Sequence, residues 1–200
     1  MEKYQKIPVK AGSNPDYPVN DLIIKRWSPR AFSEKKISKD SLQSLLEAMR
    51  WAPSSMNAQP WRIIYAFNGD ESFNKISDTL MDSNKIWAPK APVLLLALVK
   101  KTLPNGSENA SAKHDLGLAV GNLLTQATSL GIGVHQMGGF SKDQAINALE
   151  IPDDYEPNTV IALGYFGEAD NLPDKLRDRE KSSRTRNKVE EFAFHGKIEN

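Results

Sequence analysis

The sequence contains no cysteine, which excludes a disulfide framework, a thiolate nucleophile, a cysteine zinc site and a cysteine-ligated iron–sulfur cluster. A charge of one sign is also missing. Lys and Arg number 26 against 25 Asp and Glu, so no global field favours nucleic acid, an anionic membrane or an acidic partner, and any anion site must be local. The longest apolar run, residues 91–99, stops at Lys100 and Lys101, far short of the roughly 20 residues a membrane helix needs. Met1 to Lys10 is polar and contains Pro8, without the apolar stretch of a signal peptide. A cytoplasmic protein with no membrane or nucleic-acid partner is expected.

Familiar catalytic signatures are equally scarce. Gly131-Ile132-Gly133 follows a helix and lacks a third glycine, whereas a dinucleotide fingerprint leaves a strand and opens a helix. There is no phosphate-binding P-loop, no Gly-x-Ser-x-Gly elbow and no His-Glu-x-x-His zinc helix. Of the 3 histidines, His114 adjoins Asp115 on a helix, where neighbours do not face each other. His135 and His195 stand alone, so no metal site is expected.

What is present is a chain of 200 residues, 40% hydrophobic, long enough for one substantial core. Residues 1–18 read as an irregular arm. Val19, Leu22 and Ile23 open a short helix that cannot pass Ser28-Pro29. Ser38 caps a helix carrying Leu42, Leu45, Leu46 and Met49 at helical spacing. Trp61 to Phe67 reads as a strand closed by Asn68-Gly69, Phe73 to Leu80 as a helix, and Val93 to Val99 as a strand buried on both faces. Leu116, Ala119, Val120, Leu123, Leu124, Ala127 and Leu130 form the strongest stripe, stopped by Gly131. Ile132 to His135 is a short strand, Ser141 and Gln144 begin another helix, and Thr159 to Tyr165 is a third clear strand. Glu168 to Lys188 is dominated by charge, and Val189 to Phe194 turns apolar again, as a segment seeking another surface would. Interleaved strands and helices without a repeat indicate an α/β or α+β sandwich.

Three segments combine groups able to hold a polar ligand. Arg26-Trp27-Ser28-Pro29-Arg30 places two guanidinium groups and a hydroxyl at a helix break, suited to a phosphate or to solvated ion pairing. Pro53-Ser54-Ser55-Met56-Asn57-Ala58-Gln59-Pro60 offers donors and acceptors to a heterocycle or polyol, or to its own turn. His135-Gln136-Met137-Gly138-Gly139-Phe140 ends a strand on two glycines, which permit close backbone approach or simply a turn. Arg184 and Arg186 form a second cationic pair in a charged stretch.

In this order, Arg26 through Phe32, Ala48 through Ser55, Gln59-Pro60-Trp61, His135 through Phe140 and Gly164-Tyr165, the chain resembles the nitroreductase family over about residues 19–194. It is closest to members with an Arg-Trp-Ser-Pro-Arg segment and a His-Gln-Met-x-Gly-Phe stretch. The resemblance implies an α+β fold, an α/β/α sandwich around a central mixed sheet, with arms exchanged across a homodimer. It also implies FMN as cofactor, NADH or NADPH as reductant, and hydride transfer by a ping-pong mechanism to a nitroaromatic, quinone or conjugated alkene.

The same resemblance divides the chain into an arm (1–18), an FMN-binding domain (19–170) and a charged extension (171–200) that completes the flavin site and wraps the partner. Arg26, Trp27, Ser28 and Arg30 would line the phosphate and ribityl chain, with Arg184 and Arg186 completing the anion site. Pro53, Ser54, Ser55 and Asn57 would come from the other subunit. Gln136, Met137, Gly138 and Gly139 would lie along the isoalloxazine, and Asn84 is the candidate for a flavin-binding asparagine in mid-chain. Lys188 stands where the family usually has proline, and Met56 and Ala58 would modify the substrate wall. No catalytic side chain is expected, because the cofactor carries such chemistry. The alternative is a non-catalytic flavin or small-ligand binding protein on the same fold.

Overall fold

The computed structural model describes residues 7–198; residues 1–6 and 199–200 of the two expected arms lie outside the described residues. Helix α1 (Asp21–Lys25) starts at Asn20, whose side chain accepts from the Leu22 amide. Helix α2 (Lys39–Arg50) starts where Ser38 accepts from the Ser41 amide, and buries Leu42, Leu45 and Met49. Strand β1 (Trp61–Phe67), helix α3 (Glu71–Asp78), the single turn α4 (Asp82–Lys85) and strand β2 (Val93–Lys100) follow. Helix α5 (Ala112–Ser129) is stopped by Gly131 in the left-handed region at φ +72, where a residue without Cβ is unstrained. Strand β3 (Ile132–Met137), helix α6 (Lys142–Ala148) and strand β4 (Tyr155–Tyr165) complete the core.

The strands lie in the order β1-β2-β4-β3. The expected mixed sheet is instead antiparallel at every pairing among the described residues. The crossover through α5 does make β2 and β3 run the same way, but β4 is inserted between them, so each strand meets only opposed neighbours. Strand β4 starts earlier than its apolar run suggests. Pro157 enters it beside a register shift between Ala97 and Leu98, where a residue lacking an amide hydrogen is tolerated.

Alternation divides the core in two. Val93, Leu95, Ala97, Val99, Ile161 and Leu163 face α2 and α5. Leu94, Leu96, Leu98, Val160 and Ala162 face Phe73, Ile76, Trp87, Phe140 and Ala145 on the other side. Strand β2 is therefore buried on both faces, as its unbroken apolar run requires.

The charged stretch after Glu168 hides one further helix, α7 (Asp174–Lys181). Leu172, Leu176 and Glu180 follow one another at four-residue spacing and turn inward, the two leucines onto the second core and Glu180 into the loop beside it. Beyond it the chain makes a single tight turn at Val189–Glu191. Val189, Phe192 and Phe194 there are exposed, as are Ile23, Trp51 and Met56.

Candidate functional site

The arginine segment is seated by a notch in the sheet. Gly133 and Gly164 are register partners across β3 and β4. A Cβ on Gly133 would lie 2.5 Å from Pro29 Cγ, and one on Gly164 would lie 2.5 Å from Phe32 Cδ1. Two missing side chains thus make room for two rings. The seat is fastened by Ser33 N–H donating to Tyr165 O at 2.9 Å and Gly167 N–H donating to Ala31 O at 2.9 Å. His135 Nδ1 donates to Pro29 O at 2.9 Å. Trp27 lies against Phe166 with ring centroids 5.2 Å apart and donates from Nε1 to Pro8 O at 3.1 Å.

The cations gathered there have few counter-ions. Arg26 Nη1 donates to Ser28 Oγ at 3.2 Å. Burial, then the charges of Arg184 and Arg186, pull the Arg26 guanidinium below its ordinary value, and burial followed by Arg186 does the same to Arg184. Among the described residues no carboxylate lies within ion-pair distance of Arg26, Arg184 or Arg186. Three mutually repelling guanidinium groups without an anion form a strong local attractor for one.

Arg184 is nevertheless also a brace. It donates from Nη1 to Arg26 O at 2.7 Å and from Nη2 to Ile24 O at 2.6 Å and Ser13 Oγ at 2.5 Å, which satisfies carbonyls left open at the end of α1. Its own amide donates to Ala11 O at 2.9 Å. Arg186 is exposed and, among the described residues, its side chain donates to the Thr185 carbonyl alone. Arg30 belongs to a separate pair, its Nη1 standing 3.9 Å from Glu180 Oε2.

The glycine turn lies where β3 ends. Met81 N–H and Asn84 Nδ2 both donate to Gly139 O, at 3.0 and 3.1 Å, so Asn84 and the turn are brought together. Gly138 is exposed and a Cβ there would meet nothing within 4 Å. Gln136 is exposed, whereas the Met137 side chain is core, leaving that residue only its backbone to present.

The serine loop is elsewhere. Asp115, buried on α5, accepts from Ser55 N–H at 3.1 Å, and Ser54 Oγ accepts from Gln59 N–H at 3.0 Å. Met56, Asn57 and Gln59 take left-handed φ values of 52, 53 and 46, a strain that non-glycine residues keep only when their surroundings enforce it. Pro53, Ser55 and Asn57 are exposed. The loop leads into β1 and the glycine turn leaves β3, which are opposite edges of the sheet. Three strand spacings put these edges about 14 Å apart, so one chain does not bring the serine loop to the glycine turn.

Sequence reasoning missed Glu180, Lys10 and Asp115. Glu180 had one signal, the spacing Leu172, Leu176, Glu180, which marks an inward stripe inside a charged segment. Lys10, whose Nζ donates to Arg179 O at 3.2 Å and to Glu180 O and lies 4.9 Å from the Trp27 ring centroid, had none.

The same arrangement of strands and helices occurs in solved proteins. A structure described as an oxidoreductase containing FMN superimposes with a TM-score of 0.87 at 36% identity, over 93% of this chain and 96% of that one. A nitroreductase family protein of Clostridium difficile gives 0.70 at 26% identity, over 88% and 97%. By sequence, the chain is 27% identical to an FMN reductase [NAD(P)H] of Bacillus subtilis over 156 residues, 69% of this chain and 61% of the relative. The model of the Nitroreductase family matches residues 23–89 and 71–165, which span the arginine segment, the serine loop, the glycine turn and the Gly133/Gly164 notch. The chain belongs to the nitroreductase family.

Proposed function

We propose that the protein is an FMN-dependent oxidoreductase that consumes NADH or NADPH and acts as a homodimer. The observation that carries this reading is the cluster of Arg26, Arg184 and Arg186, which has no carboxylate counter-ion among the described residues and fits a terminal monophosphate dianion. An exposed two-glycine turn lies further along the same strand edge and offers backbone donors to the rim of a planar ring. The names of the FMN-containing oxidoreductase and the FMN reductase [NAD(P)H] support the same cofactor and reductant.

The residues divide the work. Arg26, Ser28 and Arg30 hold the phosphate end, Arg184 braces the Arg26 backbone and Arg186 adds charge at the rim. Trp27 lines the ribityl path, while Gly138 and Gly139, with Gln136 and the Met137 backbone, border the ring, and Asn84 fixes the carbonyl of that turn. Bound there, FMN supplies the hydride chemistry, passing reducing equivalents from the nicotinamide to a nitroaromatic, quinone or conjugated alkene. No side-chain nucleophile is required.

The serine loop gives the dimer its reason. Pro53, Ser54, Ser55 and Asn57 lie at the far sheet edge of their own chain, so a second chain is the source that would bring such a loop to this glycine turn. The exposed Ile23, Phe192 and Phe194 supply apolar surface for that contact; residues 172–184 pack on their own chain, so the segment that reaches across is the one after Arg186.

Purified protein, reconstituted with FMN under anaerobic conditions, is expected to lose its oxidised-flavin absorbance on addition of NADH or NADPH and to regain it with a quinone or nitroaromatic. Parallel double-reciprocal lines would then follow. Absence of bleaching by either nicotinamide refutes the reductase reading, and FMN-saturated monomers in solution refute the dimer.

A further inference from the structure

We infer that Glu180 is a positioning residue of the phosphate subsite, holding the Arg30-Ala31 backbone and aiming the Arg30 guanidinium. The inference rests on the proposed FMN site. Glu180 is only 6% exposed, at the end of a helix otherwise rich in solvated charge. Its Oε1 accepts from Arg30 N–H at 2.8 Å and from Ala31 N–H at 3.0 Å. Its Oε2 is buried and makes no hydrogen bond among the described residues, with Arg30 Nη1 standing off at 3.9 Å.

An ordinary ion pair does not look like this. Such pairs lie at the surface, contribute little and bring both charged ends together. Here the carboxylate side chain is 4% exposed and the arginine 25%, so the acid carries most of the desolvation cost while its charged partner stays beyond hydrogen-bond reach. The compensation comes from two backbone amides, which fix the loop that follows the buried Pro29. The unspent Oε2 draws Arg30 from one side and leaves the rest of its fork of donors free for an anion on the other. Burial lowers the Arg30 guanidinium and Glu180 opposes that shift, as expected for a cation kept charged by a neighbour it barely touches. Lys10 Nζ, bonded to the Glu180 carbonyl, fastens the helix end from the opposite side.

The test compares FMN with riboflavin, which lacks only the phosphate, on full-length wild-type protein and on Glu180→Ala, Glu180→Asp and Glu180→Gln. The alanine variant is expected to bind FMN about tenfold or more weakly, the loss of two amide bonds to a charged acceptor, with riboflavin binding changed less than about twofold. Glu180→Asp, which keeps the charge but withdraws the oxygen from the amides, is expected to show the same split and serves if Glu180→Ala does not fold. Glu180→Gln retains an acceptor for both amides but loses the charge that draws Arg30, and is expected to recover only part of the FMN affinity. Wild-type FMN affinity in Glu180→Ala and Glu180→Asp would overturn the inference, as would a parallel loss of both flavins. Wild-type protein that binds FMN no better than riboflavin would instead refute the phosphate reading of the arginine cluster.

Discussion

The imidazole of His135 lies against the indole of Trp87 with ring centroids 4.5 Å apart. Burial in that contact is the main reason its pKa falls to about 4, with Arg30 and Arg26 adding repulsion against the carbonyl bond to Pro29. The histidine is thus neutral and donates from Nδ1 to the loop that carries Arg30.

A pH dependence follows. Between the unfolded value near 6.5 and about 4, the unfolded chain binds the proton and the folded chain does not, so this contribution is full above the upper value and is lost as pH falls towards the lower one. Its ceiling is about 3 kcal/mol. Urea unfolding of cofactor-free protein at pH 7 and pH 4.5 is expected to show a larger difference for wild type than for His135→Gln. Equal differences would remove His135 as the cause.

Gly133 and Gly138 are expected to behave oppositely as alanine. Gly133→Ala drives a methyl into Pro29, costing about 1–3 kcal/mol of stability as an overpacked site does. Gly138→Ala meets no protein atom, so its stability should change by less than about 0.5 kcal/mol while its FMN affinity falls, because the methyl faces the proposed ring. Thermal melts paired with FMN titration separate the two, and a Gly138→Ala variant with unchanged FMN binding would move the ring away from the turn.

Arg26→Ala is expected to weaken FMN binding by about 1.5–3 kcal/mol, the range for a partly buried charge-assisted bond, and to leave riboflavin binding nearly unchanged. Calorimetric titration of both flavins measures this directly. Equal losses for both would assign Arg26 to the fold alone.

Asp115→Ala leaves the Ser55 amide without its acceptor, a loss of about 0.5–1.5 kcal/mol for a partly buried hydrogen bond. The effect belongs to the serine loop, so amide exchange should accelerate over residues 54–59 before the rest of the chain. Uniform acceleration would mean that the loop is not an independently held unit.

Much of the fold was legible because its elements declare themselves locally. Ser38, Ser141 and Gly131 mark helix ends by their own chemistry, and the apolar run at 93–99 can only be a strand covered on both sides. The antiparallel sheet was not legible, since the insertion of β4 between β2 and β3 depends on contacts distant in sequence. At the candidate site, Arg26, Ser28, Asn84 and the two glycines are proposed from residue type and family resemblance. Arg184 could be named but not understood, because its bonds go to backbone carbonyls that no side-chain pattern announces. Glu180 was hidden among like residues, where only burial distinguishes one carboxylate from its neighbours. The Gly133/Gly164 notch exists only once register is known.

The bonds from Lys10 to Arg179 and from Arg184 to Ser13 span 169 and 171 positions of sequence, which has a consequence for biosynthesis. At translation rates of about 5–20 residues per second, α1 and the arginine loop wait on the order of ten seconds or more for the segment that braces them. Until it emerges, the carbonyls of Ile24 and Arg26 have water as their partner and the loop lacks the carboxylate that ties down its amides. The sheet and α5 need nothing beyond Tyr165 for their pairings, so they do not depend on the segment that braces the loop. The proposed phosphate subsite is accordingly assembled only once residues 179–184 are available, and cofactor capture is expected to follow that step.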